Sequence, residues 1–261
     1  MMKLAISGKG GVGKSTLAAA LSLLMVKEGK RVLAVDADPD ANLASALGMS
    51  RQAQDSIIPI AKQIDLIEQR TGAKVKQYGQ MFKLNPEVSD IADKYATLHK
   101  GVALIVLGAV ENGGGGCACP ESILLKALVT DLVLRKNDAL VMDMEAGIEH
   151  LGRATAKGVD AMIIVVEPGQ RSIDCAKRVI KMASQIGIKR LCFVANKVTS
   201  AADEKFIEDA LEGYELTGSI KYSESIRVAD MQGASVLDCG DQEVLGSFKD
   251  ILKKLETGDL K

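Results

Sequence analysis

The sequence contains few aromatic residues and no tryptophan. Aromatic side chains make up 3% of its 261 residues, which predicts an aliphatic core and argues against base-stacking platforms for single-stranded nucleic acid. Neither sign of charge dominates, since 33 Lys and Arg face 34 Asp and Glu. Nucleic-acid-binding proteins usually carry a basic excess, so this near balance argues against nucleic acid as a partner.

Long apolar runs and a secretory signal are also missing. Apolar runs such as 161–166 fall far below the ~18 residues that a membrane span needs. Glycine-rich sequence begins at Gly8, which leaves too few apolar residues for a signal peptide. The five cysteines are an odd number, unlike the even set of a secreted disulfide framework. We therefore expect a cytoplasmic protein with reduced thiols and no membrane partner.

Short apolar runs alternate with longer amphipathic stretches along the chain. The runs predicted to be strands are 4–7, 32–36, 102–107, 139–143, 161–166 and 191–196. Continuous runs of this kind are typical of parallel strands covered on both faces. Helical spacing predicts helices over 15–28, 173–186 and 244–255. The alternation predicts an α/β fold: a doubly wound, mostly parallel sheet with flanking helices.

No linker divides the chain, so we expect a single domain over residues 1–261. Residues 50–100 are less regular, and we expect them to form an insertion over one end of the sheet.

The motif G-x-x-x-x-G-K-[ST] occurs between the first predicted strand and the first predicted helix. Its glycines let backbone N–H groups converge on phosphate oxygens, and the helix N-terminus adds a favourable dipole. Lys14 would supply charge to the β- and γ-phosphates, and Ser15 a hydroxyl to Mg²⁺. A chance glycine-rich turn is the alternative. The predicted phosphate-binding residues are Gly8, Lys9, Gly10, Gly11, Val12, Gly13, Lys14, Ser15 and Thr16.

A second lysine, Lys9, lies inside this loop. Held between glycines, it could reach a transferring phosphoryl group, either on its own chain or on a second one. It would then stabilise the developing negative charge as an arginine finger does. The alternative is a solvated loop lysine.

Carboxylates follow two of the predicted strands. Asp36 and Asp38 end one strand, at the edge where parallel sheets bind their ligands. Asp143 ends another strand, as in a Walker B motif, and we expect it in the Mg²⁺ shell through water; a helix N-cap is the alternative. Glu145 would either order water or act as a cap.

Cys117 and Cys119 form a C-x-C pair after a run of four glycines. Side chains at i and i+2 of an extended segment project to the same side, so the two thiolates can bind one metal. A tetrahedral thiolate site needs four ligands, which a symmetric dimer would supply. Four sulfurs suggest Zn²⁺ or an iron–sulfur cluster before nickel. The alternative is a pair of exposed thiols. We expect Cys175, Cys192 and Cys239 to pack as small apolar residues, and His99 and His150 not to bind metal.

The segments KGGVGKS and VDADPD together resemble the deviant-Walker ATPases, a superfamily that includes the nitrogenase iron protein, the Min and Par ATPases and metal-cluster maturation ATPases. The resemblance implies ATP and Mg²⁺ as cofactors and a homodimer that ATP promotes. It implies that Lys9 reaches the partner's ATP, that Asp38 positions the attacking water and that Asp36 lies near Mg²⁺. Asn196 would read the adenine edge, and Lys9, Lys14 and Asp38 would form the catalytic set.

Within that superfamily, the C-x-C pair and the stretch AGIEHL resemble the maturation ATPases of carbon monoxide dehydrogenase and acetyl-CoA synthase. This resemblance implies Ni²⁺, or Zn²⁺, at the subunit interface and one of those two enzymes as the client. Two other functions stay open: a positioning ATPase of the Min or Par kind, and an electron-transfer protein like the nitrogenase iron protein.

Overall fold

The structure is a computed structural model that describes residues 2–75, 77, 79–110, 119–134, 139–146 and 153–258. The strands among these residues are β1 (Lys3–Gly8), β2 (Val32–Ala37), β3 (Thr97–His99), β4 (Val102–Val106), β5 (Ala139–Met144), β6 (Ala161–Val166), β7 (Leu191–Val198) and β8 (Leu216–Lys221). They form one sheet in the order β3-β4-β2-β5-β1-β6-β7-β8. Every pair is parallel except β3 with β4, which confirms the predicted mostly parallel α/β fold.

Helices connect these strands. They are α1 (Lys14–Lys27), α2 (Leu43–Ala46), α3 (Arg51–Asp55), α4 (Ile64–Thr71), α5 (Ile91–Tyr95), α6 (Pro120–Leu134), α7 (Arg153–Ala156), α8 (Gln170–Ile186), α9 (Ala201–Ala210), α10 (Glu224–Met231) and α11 (Gln242–Thr257), with 3₁₀ turns at 60–62 and 236–238. None of the helices in the described ranges combines the length and the apolar character that crossing a membrane requires.

The sheet separates two apolar cores, because alternate side chains of each strand point to opposite faces. On β2, for example, Val32 packs into one core and Leu33 into the other. One core contains residues of α1 and α11, and the other contains residues of α6 and α8. Burial on both faces explains why the strands are nearly continuous apolar runs.

The six predicted strands are all present, and their ends differ from the predictions by two residues or fewer. β3 and β8 were not predicted, and of the described helices only α1, α8 and α11 were predicted. β8 carries Gly218 and few apolar residues, so it lacks the expected pattern. A Cβ at Gly218 would lie 2.4 Å from Ile251 Cγ1. The glycine therefore lets α11 pack closely against this strand, a constraint that local pattern does not reveal.

Residues 50–100 contain the short helices α3, α4 and α5 and a 3₁₀ turn. The buried side chains of Ile60, Ile67 and Ile91 belong to the core on the α6 side of the sheet. The N–H of Ala61 donates to the carbonyl of Leu107 at 2.9 Å, just beyond β4. The segment is thus fastened to the sheet near the carboxyl end of β4, while its treatment as an insertion in a single domain stays a prediction.

Candidate functional site

The polar residues predicted for the site meet at one edge of the sheet, where the parallel strands end. The loop that follows β1 lies there, as do Asp36 and Asp38 at β2, Asp143 at β5 and Asn196 at β7. Because β2, β5, β1, β6 and β7 are consecutive in the sheet, residues far apart in sequence become neighbours.

Two glycines of the loop between β1 and α1 lie so close to neighbouring residues that a side chain would not fit. A Cβ at Gly8 would lie 2.5 Å from the Val165 carbonyl oxygen. Gly13 has a φ of +99°, and a Cβ there would lie 2.2 Å from Asn196 Nδ2. No side chain in the described ranges caps the N-terminus of α1, so its first N–H groups are available to an anion such as a phosphate group.

Lys14 and Asp38, both predicted to be catalytic, contact each other. Lys14 Nζ lies 3.5 Å from Asp38 Oδ2, and the two side chains are 6% and 14% exposed. A lysine in this largely buried position needs a negative partner. Asp38 provides that partner, and a bound phosphate would provide another.

Asp36 and Asp143 are direct neighbours across β2 and β5 and are fully buried. Burial, together with the nearby Asp143, raises the pKa of Asp36 to about 7 although Leu43 and Asp38 donate backbone hydrogen bonds to it. Burial raises the pKa of Asp143 to about 6, against the opposing effects of Ser15 and Lys14. Two buried carboxylates in contact are costly without a cation, because their charges repel in a poorly solvated place.

The donor set fits Mg²⁺. Both carboxylate oxygens of Asp143 are buried without a hydrogen bond of ordinary geometry in the described structure, although the Ser15 hydroxyl is near enough to lower the pKa of Asp143. Mg²⁺ prefers such oxygens, often through water. Among the described residues, no backbone N–H donates to the Asp143 carboxylate, so nothing there supports the N-cap alternative. Asp36 instead uses its oxygens to accept the N–H groups of Asp38 and Leu43, at 3.2 and 2.9 Å. It thereby shapes the turn that presents Asp38.

Lys9 has a partner that the sequence reading missed. Its Nζ lies 2.7 Å from Glu167 Oε1, and Lys197 Nζ lies 3.3 Å from Glu167 Oε2. Burial raises the pKa of Glu167, but Lys9 and Lys197 together lower it below the ordinary value. The signal that pointed to Asp36 would have found Glu167 and Lys197 too, since each lies at the carboxyl end of a predicted strand.

Asn196 is buried beneath the phosphate loop. Its Nδ2 donates to the Val12 carbonyl at 2.7 Å, and its Oδ1 accepts the N–H of Lys197 at 2.9 Å. The side chain therefore supports the loop directly, a role that the sequence reading did not assign. Its reading of adenine stays a prediction.

A cavity of about 390 Å³ opens beside the phosphate loop. It is lined by Thr16, Asn196, Lys197, Tyr222 and Arg227, among others. Its size falls in the range of small-molecule sites. A nucleotide with phosphates on the loop would have its nucleoside beside this cavity, where Asn196 forms part of the wall.

Only half of the predicted cysteine pair lies within the described ranges. Cys119 immediately precedes α6; its thiol donates to Ser122 Oγ at 3.1 Å, and the Ser122 N–H lies 3.5 Å from the sulfur. Cys117 and His150 lie outside the described residues. Among the described residues, no group of three or more His, Cys, Asp and Glu side chains is arranged to hold a metal ion.

The remaining cysteines and His99 lie on separate elements of the fold. Cys175 and Cys192 are buried, as expected for packing residues, whereas Cys239 is only partly buried. His99 lies on the short edge strand β3.

Residues 3–236 match the family described as the CobQ/CobB/MinD/ParA nucleotide binding domain. The carbon monoxide dehydrogenase accessory protein CooC of Rhodospirillum rubrum is 44% identical over 91% of this chain and 90% of its own. An uncharacterized ATP-binding protein of Methanocaldococcus jannaschii is 42% identical over 90% of this chain and 91% of its own.

The fold also resembles solved structures. The MinC:MinD cell division complex of Aquifex aeolicus contains a chain that superposes with a TM-score of 0.70, with 22% identity and coverage of 98% of this chain and 96% of that one. At this level of identity the likeness concerns the fold alone.

Proposed function

The chain belongs to the CobQ/CobB/MinD/ParA nucleotide-binding family and is an ATPase, and we propose that it uses ATP-dependent dimerisation to deliver a metal ion to a client enzyme. The metal would be Ni²⁺, or Zn²⁺, and the client carbon monoxide dehydrogenase or acetyl-CoA synthase. One combination carries the proposal: a cysteine pair ending at Cys119, in a chain 44% identical to a carbon monoxide dehydrogenase accessory protein. We place the activity in the cytoplasm, where thiols remain reduced.

The ATPase site supports in-line attack of water on the γ-phosphate. Lys14 and the N–H groups at the start of α1 stabilise charge on the phosphates. Asp38 lies 3.5 Å from Lys14, so the carboxylate that would orient the water is already beside the phosphate site. Asp143 and Ser15 would hold Mg²⁺, which neutralises phosphate charge when bound. The partner's Lys9 would complete the site in the dimer.

The cargo site would be shared between subunits. Each chain contributes Cys117 and Cys119, so four thiolates assemble only when two chains meet. Any ligand that favours the dimer, whether ATP or metal, then favours binding of the other, because the coupling between two sites is reciprocal. Hydrolysis would weaken the dimer and release the metal to the client.

The alternative of a positioning ATPase that binds a membrane needs an available amphipathic surface. In the structure, the apolar side of α11 is buried, with Val244, Phe248 and Ile251 in the core. If the protein sedimented together with liposomes or DNA only in the presence of ATP, that result would favour this alternative. An absorbance band of a [4Fe–4S] cluster in anaerobically purified protein would instead favour electron transfer.

The proposal is tested by measuring bound metal and mass together. The purified chain is incubated with Ni²⁺ or Zn²⁺ and either ADP or a non-hydrolysable ATP analogue, then separated by size with light scattering and metal analysis. We expect about one metal per two chains, confined to the dimer. Cys117→Ser and Cys119→Ser should lose that metal. Cys239→Ser, at a partly buried cysteine on another element, is the matched control and should retain it. Metal retained by the first two variants would refute the proposal.

A further inference from the structure

Glu167 connects three parts of the site through two lysines. Its Oε1 accepts from Lys9 at 2.7 Å, and its Oε2 accepts from Lys197 at 3.3 Å. Lys197 also donates to the Gly11 carbonyl at 2.6 Å. The Glu167 carboxylate, just after β6, therefore pairs with Lys9 of the phosphate loop and with Lys197, which itself donates to the loop.

The position of this carboxylate is fixed by its own backbone. The N–H of Glu167 donates to the hydroxyl of Ser172, which is buried in the first turn of α8. The Glu167 side chain is 22% exposed, so its charge is partly withdrawn from water and needs the two cations. The arrangement is thus built into the strand–helix connection.

Lys197 is placed by an irregularity of the sheet. It has a φ of +57°, a conformation that side chains other than glycine rarely adopt. The register between β7 and β8 also shifts between Asn196 and Val198. This local kink directs the ammonium of Lys197 to the loop, where it contacts both the Gly11 carbonyl and Glu167.

Lys9 pairs with Glu167 of its own chain, whereas the proposed dimer places Lys9 at the nucleotide of the second subunit. We propose that Glu167 is a positioning residue that holds Lys9 on its own subunit, so that Lys9 is exchanged from Glu167 to the partner's nucleotide as the dimer closes. This inference rests on the proposed ATP-dependent dimer. The Lys9–Glu167 pair within each protomer would then oppose dimer formation, because it must break before the dimer closes.

The size of the effect follows from the exposure of the pair. Lys9 and Glu167 are 37% and 22% exposed, so the pair resembles surface pairs, whose removal changes an equilibrium by about 1.5- to 5-fold. Two such pairs break per dimer, so the two factors multiply to roughly 2- to 25-fold. Removing the carboxylate should tighten the nucleotide-bound dimer by that factor.

The test compares Glu167→Gln with wild type in two measurements. The first is the dissociation constant of the dimer in saturating non-hydrolysable ATP analogue, from analytical ultracentrifugation. The second is the affinity of the dilute monomer for the same analogue. We expect the dimer to tighten by roughly 2- to 25-fold. The monomer's affinity for the analogue should change less than about twofold, because Lys197 still donates to the Gly11 carbonyl of the loop.

Two further variants separate this role from a general loosening of the loop. Lys197→Gln keeps the Lys9–Glu167 pair and should not tighten the dimer. Asp238→Asn removes a carboxylate that pairs with Lys100 at 2.8 Å, away from the site, and should match wild type.

Each other outcome overturns the inference. An unchanged or weaker Glu167→Gln dimer, weaker binding of analogue by its monomer, or equal tightening by Lys197→Gln would assign Glu167 to loop support alone. A wild-type chain that stays monomeric with the analogue would instead refute the proposed dimer itself, so the two failures are distinguishable.

Discussion

Lys14 Nζ and Asp38 Oδ2 lie 3.5 Å apart. The lysine predicted to bind the phosphates is thus neutralised by the carboxylate predicted to orient the attacking water. Binding of ATP would give Lys14 a phosphate partner and leave Asp38 to accept hydrogen bonds from water. We propose that the pair links the binding of nucleotide to the release of Asp38 for hydrolysis.

Asp38→Asn should separate binding from hydrolysis. The amide cannot orient water as the carboxylate does, so we expect turnover to fall by about 100-fold or more. Affinity for ATP should stay equal or rise, because Lys14 loses a competing partner. Steady-state hydrolysis and an equilibrium nucleotide titration measure the two effects. Asp40→Asn removes an exposed charge two residues away and should hydrolyse ATP like wild type; a fall of similar size there would contradict the role of Asp38.

Lys9→Ala should retain ATP binding and lose most hydrolysis. The chain keeps Lys14 and the N–H groups of the loop, which suffice for the phosphates, but it loses the charge that Lys9 would supply to the partner's nucleotide. We expect turnover to fall by about 100-fold or more, by analogy with loss of an arginine finger. Hydrolysis equal to wild type in a turnover assay would refute the assigned role.

Asp143→Asn should stabilise the nucleotide-free chain at alkaline pH. Burial raises the pKa of Asp143 to about 6, so the folded state binds its proton more tightly than the unfolded state does. Its contribution therefore becomes unfavourable as pH rises from about 4 through about 6. We expect the variant to gain about 1–3 kcal/mol in free energy of unfolding at pH 8 and little at pH 4.

Chemical denaturation at both pH values checks this prediction, with the exposed Asp250→Asn as the control. Asp143→Asn should also lose Mg²⁺-dependent hydrolysis, because it lacks the charged oxygen that fits the metal. A stability gain that is equal at pH 4 and pH 8 would show that relief of buried charge is not its cause.

Asn196→Ala should affect the loop and the choice of base together. It leaves the Val12 carbonyl without its 2.7 Å partner, and loss of a buried hydrogen bond costs about 1–3 kcal/mol. We expect ATP to bind about tenfold more weakly and the preference for ATP over GTP to shrink. Competition titrations with both nucleotides measure this. Equal weakening for ATP and GTP would leave Asn196 as loop support and contradict the adenine prediction.

The sequence pattern predicted the buried strands and the phosphate loop, because both depend on residues that are close together in the chain. The six strands buried on both faces have continuous apolar runs, such as 161–166, and these were found. The glycines and Lys14 of the phosphate loop were likewise readable, because their spacing is itself the requirement for wrapping a phosphate. β8 was missed because its place in the sheet depends on β7 beside it and on α11 above Gly218.

The sequence by itself determined the α/β fold, the family and the edge of the sheet where the charged side chains meet. Only the tertiary structure decided how those charges are partnered: Lys14 with Asp38, and Lys9 with Glu167. Apolar periodicity and loop spacing involve residues that are close in sequence, so they can be recognised from the sequence alone. The Lys9–Glu167 pair joins residues 158 positions apart in sequence. It exists only because the parallel strands bring their ends together.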